Sequence, residues 1–95
     1  MIVERATWKV KAGCTDKAIA LLKSEFAQWE GYKWRLYTPN IGKFDRVSYE
    51  FEYENLAEYE KMWQDWFAKP ETAEFNKKWY ELVEPGGETE IWNLA

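Results

Sequence analysis

Histidine is absent from this sequence, and cysteine occurs once, at Cys14. Without histidine the chain has no imidazole for general acid–base catalysis, for a Ser-His or Cys-His nucleophile, for a metal site or for a His-ligated haem. A single cysteine excludes an internal disulfide and is typical of proteins from reducing compartments. Because no base or resolving partner accompanies Cys14, we expect an incidental thiol.

Positive charge and long apolar runs are also scarce. The 13 Lys and Arg residues are outnumbered by 17 Asp and Glu residues, which gives a formal net charge of −4. This balance disfavours binding to nucleic acid and to anionic membrane surfaces. No run is long enough to span a bilayer, and residues 1–5 begin directly as a strand without an export signal. We therefore expect a cytoplasmic protein with no nucleic-acid or membrane partner.

Aromatic residues, by contrast, are abundant. Phe, Tyr and Trp make up 19% of the 95 residues, and seven of them are Trp. Large rings fill a small core with few residues, and they also form walls for a ligand. A chain of this length buries about two-thirds of its unfolded surface. We expect a single domain, residues 1–95, with one two-layer core.

Strict alternation of apolar and polar residues predicts four strands, at residues 2–11, 32–38, 46–54 and 88–94. In the first strand the even-numbered residues should face the core. Between the first two strands, an apolar stripe of Ile19, Leu22, Phe26 and Trp29 predicts a helix that ends near Gly31.

Residues 55–83 predict the second helical segment. Asn55 and Glu58 have the spacing of an N-terminal capping box. Pro70 should end the first helix and suits the first turn of another. The apolar stripe of the whole segment comprises Leu56, Tyr59, Trp63, Trp66, Phe67, Phe75, Trp79, Leu82 and Val83. The element order is therefore β-α-β-β-α-β, which predicts a ferredoxin-like α+β sandwich, a four-stranded antiparallel sheet with its helices on one face.

Three stretches of the sequence resemble a known family: MIVERATWKVKAG, SYEFEYENLAEYEKMWQDWFAKPETAEFNKKWYELV and GGETEIWNL. Together they are similar to the NIPSNAP-like branch of the dimeric α/β barrel superfamily. The resemblance implies a ferredoxin-like monomer whose open sheet face packs against a second copy to form a barrel. It implies little about activity, because NIPSNAP-like proteins are mostly uncharacterised, whereas other branches include cofactor-free monooxygenases and small isomerases.

Glu4 is the main candidate for a catalytic group. Its position in the first strand places a carboxylate on the same face as Ile2, Ala6, Trp8 and Val10. Burial there would raise its pKa and make it a general acid or base. The alternative is a carboxylate near the strand end that is half exposed or paired with an Arg.

A second candidate feature is the set of aromatic residues between the predicted helices and sheet. These rings either wall a pocket for a flat apolar ligand or simply fill the core. The candidate ligand-binding residues are Trp8, Trp34, Tyr49, Tyr53, Tyr59, Trp63, Trp66 and Trp79, with Phe51 among them in the same layer.

The polar face of the sheet is the third candidate. Charged residues of neighbouring strands should meet there, and Val3 and Tyr37 lie among them. The face is either solvated or, as the resemblance implies, a homodimer interface. Its polar members are Arg5, Thr7, Lys9, Arg35, Ser48, Glu50 and Glu52. The alternating acidic residues of the third strand do not form a metal site, because they spread along one face and no Asp-rich loop is present.

These features support two functional hypotheses. The first is a protein that binds a small hydrophobic or aromatic ligand between helices and sheet, as a cofactor-independent monooxygenase or isomerase in which Glu4 transfers a proton. The second is a non-catalytic homodimeric binding or assembly module. Carbohydrate recognition by Trp stacking is a third, weaker hypothesis, because the Trp residues fall on apolar stripes. We expect no cofactor.

Overall fold

Four strands and three helices follow one another in the computed structural model, which describes residues 1–95. In chain order they are β1 Ile2–Lys9, α1 Thr15–Phe26, β2 Trp34–Tyr37, β3 Arg46–Tyr53, α2 Leu56–Ala68, α3 Glu71–Leu82 and β4 Glu88–Asn93. The strands form one antiparallel sheet in the order β2-β3-β1-β4. This is the predicted ferredoxin-like α+β sandwich.

The strand and helix ends differ from the predicted ones by a few residues. β1 ends at Lys9, and Val10 makes only an isolated bridge to Val83, where the chain leaves α3. α1 ends at Phe26, so Trp29 lies in the turn that follows it. β2 is only four residues long. Alternation identified the strands, whereas their ends depend on which backbone groups find a partner in a neighbouring strand.

Local chemistry accounts for the helical segment after β3. The side chain of Asn55 accepts a 3.0 Å hydrogen bond from the backbone N–H of Glu58, which satisfies one of the free donors of the first turn of α2. Lys69 has an extended backbone, as expected for a residue before proline. α3 begins directly after Pro70, and the Thr72 hydroxyl donates a hydrogen bond to the backbone carbonyl of Trp66, in the last turn of α2.

The core lies between the helices and one face of the sheet. Its most buried members come from β1, β3 and all three helices, and they include Val47, Leu22, Met62 and Trp79. None of the helices combines the length and the hydropathy that a bilayer span requires.

The other face of the sheet carries no helix. It presents the odd-numbered residues of β1 and their neighbours across the ladder, so Val3 lies between Glu52 of β3 and Trp92 of β4. We call this surface the open sheet face. β4 is exposed along its whole length. Because Trp92 of β4 pairs with Val3, its side chain belongs to the open sheet face and not to the core.

Candidate functional site

Glu4 is buried in the middle of the sheet, on the side that the helices cover. Only 1% of the surface of Glu4 is exposed, and its carboxyl group forms no ion pair. The hydroxyl of Tyr53 donates a 3.1 Å hydrogen bond to Oε1. The second oxygen, Oε2, is buried without any hydrogen-bond partner.

This environment disfavours the ionised form of Glu4. Burial raises its pKa above the ordinary value of 4.5, and hydrogen bonding from Tyr53 and the nearby polar groups of Trp63 and Tyr59 offsets only part of the increase. The indole N–H of Trp63 itself makes no hydrogen bond of good geometry. Two polar groups in the same region, Glu4 Oε2 and Trp63 Nε1, are thus left unsatisfied, and such pairs of buried unsatisfied groups are uncommon in folded proteins.

A cavity of about 180 Å³ reaches Glu4 from the helical side. Elements of the sheet form its floor, and all three helices form its walls. Phe67 and Tyr80, which are 64% and 60% exposed, flank it on the solvent side. The volume is below the range of roughly 300–1,000 Å³ that is usual for drug-sized ligands, so the cavity suits a smaller molecule.

Six of the nine residues that the sequence suggested as site residues line this cavity, namely Glu4, Trp8, Tyr49, Trp63, Trp66 and Trp79. The other three lie beside it. Tyr53 holds Glu4 from the sheet, and the ring of Tyr59 contacts that of Tyr53 with centroids 5.4 Å apart. Trp34 packs against Phe26, with ring centroids 5.4 Å apart, and contributes to the core without reaching the cavity.

The tyrosines around Glu4 also have shifted acidities. Burial, and after it the charge of the Glu4 carboxylate, raises the pKa of Tyr49, Tyr53 and Tyr59. All three therefore remain protonated at neutral pH, and Tyr53 donates its hydroxyl hydrogen to Glu4. Burial thus raises the pKa of Glu4 from its ordinary value of 4.5, whereas it moves the pKa values of the three tyrosines further above 10.

Sequence reasoning missed the contribution of α1. Glu25 lines the cavity, and its Oε1 accepts a 2.8 Å hydrogen bond from the indole N–H of Trp66. A signal for this position exists, since Glu25 follows Leu22 by three residues, which places both on the same side of α1. The remaining lining residues are Leu22, Phe26, Trp29, Phe51, Met62, Phe67, Phe75, Asn76 and Tyr80.

The open sheet face carries a connected set of ion pairs. Glu50 accepts hydrogen bonds from Arg5 at 3.0 Å, Arg35 at 3.1 Å and the Tyr37 hydroxyl at 2.9 Å. Arg35 also bonds Glu52 at 2.6 Å. Although desolvation acts to raise the pKa of Glu50, the hydrogen bonds from Tyr37 and Arg35 and the charge of Arg5 together lower it. Both partners in these pairs are therefore ionised at neutral pH.

Comparison with known proteins identifies solved structures that have the same fold. No protein-family model and no curated protein matches the sequence. Among solved structures, an uncharacterised NIPSNAP domain protein from Burkholderia xenovorans has a TM-score of 0.87 at 18% sequence identity, covering 100% of this chain and 95% of the other. The fold is that of NIPSNAP domain proteins.

Two further solved structures have folds similar to that of this chain. A NIPSNAP family protein of unknown function from Agrobacterium tumefaciens has a TM-score of 0.85 at 18% identity, covering 100% of this chain and 88% of that one. An antibiotic biosynthesis monooxygenase has a TM-score of 0.74 at 13% identity, with 100% and 99% coverage. At these identities the likeness is one of fold, and a shared fold does not carry a reaction with it.

Proposed function

We propose that this chain binds a small hydrophobic or aromatic molecule in the cavity between helices and sheet, and that Glu4 transfers a proton to or from it. The observation that carries the proposal is that Glu4 lines an aromatic cavity and has a buried carboxyl oxygen, Oε2, without a hydrogen-bond partner. A polar atom left unsatisfied in this way gains a hydrogen bond when a ligand brings one.

The chemistry that fits this arrangement is proton transfer at a carbon or oxygen atom of the ligand. A carboxyl group with a raised pKa is a stronger base, once ionised, than an exposed glutamate, and it can return the proton within the same cavity. Removal and return of one proton at different atoms is an isomerisation that needs no cofactor. The same first step, followed by reaction of the resulting anion with dioxygen, starts a cofactor-independent monooxygenation. The likeness to the antibiotic biosynthesis monooxygenase supports this second chemistry only through the fold.

Phenol is a suitable first probe, because it is flat and compact and carries one hydroxyl group that can donate a hydrogen bond. We expect a saturable shift of the Trp63 indole N–H resonance when phenol is added to ¹⁵N-labelled protein. Asn76→Trp places a large ring at a half-buried lining position and should abolish the shift. Lys77→Trp changes the exposed neighbour on the same helix and should preserve it. No saturable shift in the wild type, or equal binding by the two variants, would contradict the proposal.

The second candidate function is a homodimeric binding or assembly module joined through the open sheet face. Its support is the combination of ordered ion pairs with exposed apolar groups on one surface. Trp92, which is 57% exposed, lies beside Val3 on this face, and Tyr37 lies on the same face beyond Glu50. Apolar surface between satisfied charges is typical of protein interfaces. This function and ligand binding use opposite faces of the sheet, so both can hold for one protein.

A further inference from the structure

The charges on the cavity wall are all of one sign. Of its 16 lining residues 13 are hydrophobic, and the other three are Glu4, Glu25 and Asn76. No Lys or Arg belongs to the lining. An anionic ligand would therefore meet no counter-charge in the lining while losing its hydration, which is strongly unfavourable. The lining thus selects against anions.

The aromatic rings that line the cavity favour a cationic ligand. The face of an aromatic ring carries partial negative charge and attracts a cation, and Trp does so most strongly. Four Trp residues besides Trp29 line the cavity. Trp29 already shows this interaction, because the ammonium nitrogen of Lys69 lies 4.2 Å from its ring centroid.

Two carboxyl groups with spare acceptor capacity accompany these rings. Glu4 Oε2 is fully buried and has no partner, while Glu25 uses Oε1 to hold the Trp66 indole. Glu25 is half-buried, so its charge is less screened than that of an exposed glutamate. Binding sites for substituted ammonium groups combine aromatic rings with nearby carboxyl oxygens, as this cavity does. Alkyl groups on the nitrogen suit such a wall, because they lower the cost of removing the cation from water.

We infer that the ligand of this cavity is an organic cation, a substituted ammonium group attached to a compact apolar or aromatic body. The inference rests on the proposed ligand-binding function and names the class of molecule. The body packs among the Trp rings, and Glu25 supplies the counter-charge.

The test compares three probes of similar shape: the cation phenyltrimethylammonium, its neutral analogue tert-butylbenzene and the anion benzoate. Each is titrated into the ¹⁵N-labelled protein, and the Trp indole resonances give the dissociation constants. We expect the cation to bind about tenfold more tightly than the neutral analogue, and benzoate not to bind. Glu25→Gln keeps an acceptor for Trp66 and removes the charge. It should weaken cation binding several-fold and leave tert-butylbenzene binding unchanged.

Glu81→Gln is the matched control, because Glu81 is exposed on α3 and forms no ion pair. It should leave both affinities unchanged. Binding of tert-butylbenzene as tight as that of the cation, or an equal loss in Glu25→Gln for both probes, would overturn the inference while leaving the ligand-binding proposal intact. Failure of phenol and of all three probes to bind would overturn both.

Discussion

The Tyr53 hydroxyl donates a hydrogen bond to one carboxyl oxygen of Glu4, and the other carboxyl oxygen is buried without a partner. Tyr53 thereby orients the carboxyl group from β3. Because Tyr53 itself remains protonated, it holds Glu4 in both protonation states. One carboxyl oxygen of Glu4 is therefore left without a hydrogen bond.

Replacing Glu4 with Gln should stabilise the protein at pH 7. The pKa of Glu4 is raised in the folded state by burial, and the groups that face it are Tyr53, Tyr59 and Trp63, none of them a cation. The folded state thus binds the proton more tightly than the unfolded state. The contribution of Glu4 to stability is complete below its unfolded pKa and is lost as pH rises through the folded value. Gln keeps the acceptor for Tyr53 and has no charge to desolvate.

Urea denaturation of the wild type and Glu4→Gln at pH 7 and at pH 4 measures this difference. The advantage of the variant should be larger at pH 7 than at pH 4. A variant that is less stable than the wild type at neutral pH would mean that the carboxylate is ionised and stabilised in the fold. In that case Glu4 would no longer be a candidate for proton transfer.

Trp79 and Trp63 should differ in their importance for stability. Trp79 is buried in the core, so Trp79→Ala should cost about 3–5 kcal/mol of unfolding free energy. The apolar stripe of α2 predicts the same burial for Trp63, but the structure places Trp63 half-buried on the cavity wall and Met62 in the core. Trp63→Ala should therefore cost less than Trp79→Ala. Equal denaturation midpoints for the two variants would show that Trp63 is packed as tightly as Trp79.

Trp92 provides a test of the proposed homodimer. If the open sheet face is the interface, Trp92→Ser should weaken self-association, which sedimentation equilibrium at micromolar concentration measures. Phe67→Ser is the matched control, because Phe67 is a similarly exposed aromatic residue on the helical side. A wild-type protein that sediments as an 11.4 kDa monomer would exclude the dimer under these conditions.

Glu50 tests the ionic part of the same interface. Glu50→Lys should weaken the dimer more than Glu60→Lys, which reverses an exposed charge on α2. Because Glu50 also pairs with Arg5 and Arg35 within the chain, the unfolding free energy of both variants should be measured alongside. Equal association constants for the two variants, with the fold intact, would mean that the ion pairs do not contribute to association.

Gly87 should tolerate no side chain. A Cβ atom at this position would lie 2.6 Å from ring atoms of Trp8, which lines the cavity. Gly87→Ala should therefore destabilise the fold and shift the indole resonance of Trp8. In Gly86→Ala the added Cβ would have open space around it, so any loss of stability should come only from the positive φ of 95°. An unchanged Trp8 resonance in Gly87→Ala would contradict the close contact.

The fold was more predictable from sequence than the cavity. Alternation in β1 and β3 assigns each residue to a face of the sheet, and Pro70 divides the helical segment, because these features depend on local geometry. The cavity depends on how three helices pack together. Trp34 and Trp66 have the same apolar character, yet only Trp66 reaches the cavity. In the sequence Glu25 resembles an ordinary surface glutamate. Its hydrogen bond with the Trp66 indole depends on how α2 packs against α1 and could not be predicted from the sequence.

The two edges of the sheet have a consequence for aggregation. An edge strand presents unpaired backbone groups that can recruit another chain, and both β2 and β4 are edges here. β2 offers only four residues to such pairing. β4 carries Glu88 and Glu90 at alternate positions, so two β4 strands approaching each other would bring like charges together. Continuous growth of the sheet from copy to copy is thereby opposed at both edges, which leaves the open sheet face as the part of the sheet available for association.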